Sequence, residues 1–160
     1  MDASATTRRP MFKRILVAID DSPVSSLALQ TALQLAASHG RSVRIVNVLE
    51  HPVSLGGYPY GEFGGHYLEL ARKRAREMLD EARQAADKAG VAVEVHLLDG
   101  AGLRLGETLA DEARAWNAEL IIVGSHGRRG FSRAVLGSGA EQVLRLAPVP
   151  VLVVRERSPA

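Results

Sequence analysis

A chain of 160 residues fits one domain and is long enough to bury about 68–70% of its unfolded surface. It contains no cysteine, which excludes disulfide frameworks, thiolate catalysis and cysteine-based metal sites. A formal net charge of +2 with 4% aromatic residues supplies neither the field nor the stacking platforms of a nucleic-acid binder.

Residues 1–11 are polar and read as a disordered arm, residues 12–156 as the folded unit, and residues 157–160 as a frayed tail. The arm holds no apolar core of a secretory signal, and no run approaches the roughly 18 apolar residues of a membrane span. The expectation is a cytoplasmic protein with no membrane partner. The apolar run Arg14–Ile19 reads as a strand covered on both faces. It ends at Asp20-Asp21-Ser22-Pro23, where Asp21 or Ser22 can cap a helix and Pro23 suits the first turn. Leu29, Ala32, Leu33 and Ala36 recur at helical spacing up to Gly40. A second apolar run, Val43–Leu49, completes a β-α-β unit with a right-handed crossover.

Residues 50–66 break the pattern with five glycines, two prolines and three aromatic residues, so they read as a long loop, either a mobile insertion or a lid. A helix is predicted over Tyr67–Lys88, with Leu68, Ala71, Ala75, Met78, Leu79, Ala82 and Ala86 on one stripe, and Gly90 stops it. Met78 on that stripe reads as core. Val91, Val93, Val95 and Leu97 alternate with Ala92, Glu94 and His96, the period of an edge strand with one partly wet face. A loop to Gly106, a helix over Glu107–Trp116 and a buried strand over Glu119–Val123 follow. Last come a helix over Ala140–Leu146 and, after Pro148-Val149-Pro150, a strand over Val151–Val154. Strands alternating with helices predict an α/β protein built on a doubly wound parallel sheet.

The chemistry concentrates in residues 124–138, GSHGRRGFSRAVLGS. Gly124 and Gly127 follow a buried strand and permit close approach of the backbone to an anion. Gly137, Ser138 and Gly139 open a helix whose first N–H groups have no internal acceptor and whose dipole favours negative charge. Ser138 adds a hydroxyl and can also cap the helix. Arg128, Arg129 and Arg133 between them can reach a phosphate tail. The alternative is that these glycines merely make tight turns. Neither GxxxxGK[ST] nor a complete GxGxxG occurs, Gln142 standing at the last glycine of the latter. His126 lies between the first two glycines, within reach of ribose or phosphate, and has no second ligand at metal spacing. Asp20 at the end of the first strand can serve a ribose, a metal ion or the cap of the following helix.

The spacing Gly124-x-x-Gly127, nine residues, then Gly137-Ser138 resembles the G-2x-G-9x-G-[ST] motif of the universal stress protein family. Likeness extends to ILVAIDDS at Ile15–Ser22 and PVPVLVVR at Pro148–Arg155. The resemblance implies a five-stranded sheet of order 3-2-1-4-5, an adenine nucleotide alpha hydrolase-like arrangement, and the ATP-binding branch of the family. It sets adenine beside Ala18, Ile19 and the backbone of Val48, ribose near Asp20 and Gly124, and phosphates on Gly127, Gly137 and Ser138. Gly139 departs from the β-branched residue that often follows the serine, so a less rigid loop is expected there. Asn47 stands where histidine is common. ATP is the expected ligand, with Mg²⁺ held by phosphates and water. The resemblance also implies a homodimer through the apolar edge strand Val151–Val154.

Three functional classes follow. One is a nucleotide-responsive regulatory module for stress resistance. Another is a slow ATPase or self-phosphorylating protein, for which the phosphate end shows no base. The third is a nucleotide-independent, chaperone-like dimer using residues 55–65 as its contact surface.

Overall fold

The computed structural model describes residues 11–38, 40–49, 62–100, 104–126 and 136–156. Nine elements alternate: β1 (Arg14–Ala18), α1 (Pro23–Ala37), β2 (Ser42–Leu49), α2 (Glu62–Lys88), β3 (Val93–Asp99), α3 (Leu105–Trp116), β4 (Leu120–Gly124), α4 (Ser138–Leu146) and β5 (Val151–Val154). All strand pairs are parallel and the sheet order is β3-β2-β1-β4-β5, the expected doubly wound topology.

Side chains alternate across each strand, so a strand buried on both faces must be apolar throughout. Ile15 and Val17 of β1 face α1 and α2, packing with Ala28, Ala32, Leu79 and Ala82. Leu16 between them faces the other layer, with Leu109 and Ala113 of α3 and Val143 of α4. β2 repeats the division, Ile45 on one face and Val46 on the other. β3 is an edge strand with no fully buried position, in keeping with its alternating sequence. Arg44 of β2 pairs with Glu94 of β3 and, at 2.7 Å, with Glu112 of α3. Its guanidinium lies 4.7 Å from the centroid of the Trp116 ring, so the tryptophan is half-buried under a cation.

Local signals explain most of the element ends. Ser22 is the N-cap of α1, its Oγ accepting from Ser25 N–H at 3.2 Å, with Pro23 next. At the end of α2, Val91 N–H donates to Ala86 O at 3.0 Å and Gly90 N–H to Asp87 O at 3.0 Å, with Gly90 at φ +68°. That is a Schellman closure, and it uses Val91, which the alternation had assigned to the strand. β3 therefore begins at Val93. Asn117 plays the same left-handed role after α3.

Three helix starts are also corrected. α2 begins at Glu62, not Tyr67, so residues 62–66, expected in the loop, are helical. Two glycines at 64 and 65 each cost a helix about 1 kcal/mol, but they stand at one end of a 27-residue helix whose later turns pack on the sheet. α3 begins at Leu105, not Glu107, because the Glu107 carboxylate reaches back to the Arg104 N–H at 3.0 Å. α4 begins at Ser138 with Gly137 as N-cap, so the Ser138 hydroxyl is not the cap.

Candidate functional site at the carboxyl ends of β1 and β4

β1 and β4 are neighbours, while the connection leaving β1 runs to β2 on its other side. The winding reverses between them, which opens a crevice beyond their carboxyl ends. Ala18, Ile19 and Asp20 leave one strand there, and Gly124, Ser125 and His126 end the other. α4 starts beside them.

On the β1 side the backbone is tightly held. Ile19 N–H donates to Val46 O at 2.8 Å, and the Asn47 side-chain amide donates to Ile19 O at 2.8 Å. Asn47 is buried and also lies 3.8 Å from Met78 Sδ. The position from which the sequence yielded nothing is thus the clasp between the ends of β1 and β2. Asp20 Oδ1 accepts from Ser22 N–H at 3.0 Å and Ser22 Oγ at 2.5 Å, and Asp20 N–H donates to Ser25 Oγ at 2.7 Å. One carboxylate oxygen is therefore committed to the turn that starts α1. Among the described residues no hydrogen bond reaches Oδ2. Val48 is buried at the end of β2, and Ala18 packs beside it on the α3 and α4 face.

On the β4 side, Gly124 is required by packing. A Cβ there would stand 2.5 Å from Val24 Cγ1 and 3.2 Å from Val24 C. The glycine lets the end of β4 rest on the first turn of α1. Ser125, which the sequence did not single out, is only 1% exposed. Its N–H donates to Val154 O and its carbonyl accepts from Gly137 N–H, both at 2.8 Å. Ser125 Oγ lies 2.9 Å from His126 Nδ1. Among the described residues the buried His126 Nε2 has no hydrogen-bond partner.

The Gly137 amide is thus used inside the protein, leaving those of Ser138, Gly139 and Ala140 in the first turn of α4 without intrahelical acceptors. Ser138 is exposed at this end. A Cβ at Gly139 would meet Leu105 Cδ2 at 2.8 Å, so an α3 side chain fills the space that a β-branched residue would take. Gly127, Arg128 and Arg129 lie outside the described residues. Among the described residues no cluster of three histidines or carboxylates could hold a metal ion, and no helix is long and apolar enough to cross a membrane.

A crevice with a helix N-terminus and a strand-end carboxylate at its edge suits a ligand carrying both an anion and hydroxyl groups. The model of the universal stress protein family matches residues 11–155. The chain belongs to this family. This universal stress protein is 32% identical over 153 residues to Universal stress protein YxiE of Bacillus subtilis (strain 168), covering 91% of this chain and all of that one. Its fold is similar to the crystal structure of a universal stress protein family member from Burkholderia pseudomallei, with TM-score 0.74, 32% identity and coverage of 91% and 98% of the two chains. A universal stress protein from Archaeoglobus fulgidus in complex with dAMP shares the fold at TM-score 0.64 and 24% identity, with coverage of 91% and 99%.

Proposed function

We propose that this universal stress protein binds ATP in the crevice between β1 and β4 and acts as a nucleotide-responsive regulatory module in stress resistance. The observation that carries the reading is the tie between Ser125 O and Gly137 N–H. It fastens the end of β4 to the start of α4, so that the free amides of α4 lie next to the carboxyl end of β4. A polyphosphate offers several acceptors to such a set of donors. The fold shared with a dAMP complex supports adenine as the base.

In this reading Ala18, Ile19 and Val48 border the adenine, and Asp20 Oδ2 and Gly124 border the ribose. Ser138 and Gly139 offer amides to the phosphates. Gly137 contributes as the N-cap that orients them, its own amide being engaged. Gly127, Arg128 and Arg129 complete the phosphate end by the motif alone. Mg²⁺, when bound, neutralises phosphate charge and is held by phosphate oxygens and water. The second part of the proposal is a homodimer through β5, an edge strand on which Leu152 is 37% exposed.

Purified protein, denatured and analysed for released nucleotide, tests the ligand. ATP at about 100 times its Kd stabilises the fold by about 2.7 kcal/mol, readable as a rise in Tm. Neither released adenine nucleotide nor a rise in Tm would remove the ATP reading and leave the nucleotide-independent dimer.

A further inference from the structure

A cluster of charged side chains lies away from the crevice, where the edge strand β3 meets α3. Parallel pairing sets Arg44 of β2 opposite Glu94 of β3 and Val46 opposite His96, so Glu94 and His96 lie on the face of the sheet that α3 covers. Arg44 Nη1 donates to Glu112 Oε1 of α3 at 2.7 Å, and Arg44 Nε to Glu94 Oε2 at 2.9 Å. The Arg44 and Glu112 side chains are each only 14% exposed. His96 faces the same two oxygens, its Nε2 lying 3.7 Å from Glu94 Oε2 and its Nδ1 3.8 Å from Glu112 Oε1.

The number of protons on the ring decides what it can do there. A neutral imidazole carries one N–H and one lone pair, so in either tautomer one of the two carboxylates faces a lone pair. The imidazolium carries two N–H groups, one for each carboxylate. Charge points the same way. The groups around the ring are Glu94 on its own strand, Glu112 on α3 and Arg44 on β2. Two carboxylates share a single guanidinium, and a proton on His96 supplies the missing positive charge. With the ring neutral, β3 reaches α3 through Arg44 of the neighbouring strand; with the ring charged, His96 joins Glu112 directly.

We propose that His96 is a pH-sensitive clasp: on taking up a proton from solvent it closes onto Glu94 and Glu112 and fastens the edge strand β3 to α3. A contact made only by the charged ring is present below the range in which histidine titrates, about pH 5–8, and is lost as pH rises through it. The cluster carries its own reporter. Arg44 shares both carboxylates with the ring, and its guanidinium lies over Trp116, the single tryptophan of the chain. The clasp stands apart from the nucleotide reading and uses no residue of the crevice.

The test compares the full chain with His96→Gln, a substitution at a side chain that is 42% exposed and outside the core. Thermal unfolding at about pH 5.5 and about pH 8 brackets the histidine range. Wild type is expected to exceed the variant in Tm by about 2–4 °C at the lower pH, the scale of one favourable ion pair in a chain of this size. At the higher pH the two are expected to unfold together. Salt at about 1 M is expected to shrink the gap by screening. Tryptophan fluorescence of the folded wild type is expected to pass through one step between about pH 5 and 8, and the variant to show none. No Tm gap at the lower pH, or an equal gap at both, overturns the proposal. So does a wild-type fluorescence signal that stays flat, or a step that persists in His96→Gln.

Discussion

Gly124 at the end of β4 rests directly on Val24 in the first turn of α1: a Cβ would come within 2.5 Å of Val24 Cγ1 and 3.3 Å of Ser25 N. The glycine expected to admit a ligand is needed first to let a strand and a helix touch. Gly124→Ala must push the start of α1 outward, and overpacking of this kind costs about 1–3 kcal/mol. Urea unfolding is expected to show a lower midpoint at unchanged m-value. A midpoint equal to wild type would mean that α1 yields freely.

Asp20 combines a structural and a ligand-facing oxygen, and two substitutions separate them. Asp20→Asn keeps an acceptor for the Ser22 N–H and hydroxyl while removing the charge. Its stability is expected to stay close to wild type, with weakened ATP binding. Asp20→Ala loses both, with about 0.5–2 kcal/mol of stability, the range for lost helix caps. Equal ATP affinity in Asp20→Asn and wild type, measured by calorimetry, would confine Asp20 to the turn.

Asn47 donates from a buried position to Ile19 O. Asn47→Ala or Asn47→Asp removes the donor and leaves that carbonyl unpaired, a loss of about 1–3 kcal/mol. Because Ile19 precedes Asp20, ATP affinity is expected to fall along with the thermal midpoint. Loss of stability with unchanged affinity would separate the clasp from the site.

Two glycines where α3 meets α4, Gly106 and Gly139, are expected to respond differently. A Cβ at Gly106 meets the Gln142 backbone at 2.7 Å, whereas one at Gly139 meets only the tip of Leu105 at 2.8 Å. Gly106→Ala must part the two helices and is expected to cost about 1–3 kcal/mol. At Gly139 the Leu105 side chain can turn aside, and alanine gains about 1 kcal/mol of helix propensity, so Gly139→Ala is expected to be near neutral. Denaturant midpoints in the reverse order would overturn this packing argument.

The β5 edge gives a prediction for self-association. Leu152→Lys puts a charge on an exposed edge position, a change that discourages strand pairing between chains. Light scattering is expected to report a dimer for wild type and a monomer for the variant, with the fold intact by circular dichroism. A wild-type monomer would remove the dimer proposal.

The local pattern was enough to establish the element order, because apolar runs, helical stripes and the Ser22-Pro23 and Gly90 signals act within a few residues of one another. The glycine spacing pointed to the ends of β4 and α4 for the same reason. What the chain could not disclose alone were contacts between residues distant in sequence. Gly124 answers to Val24, Asn47 to Ile19, and Gly137 gives its amide to Ser125. Each is a close approach or a buried hydrogen bond that exists only once the sheet and helices are packed, and packing alone decides which amide faces the crevice and which is consumed inside.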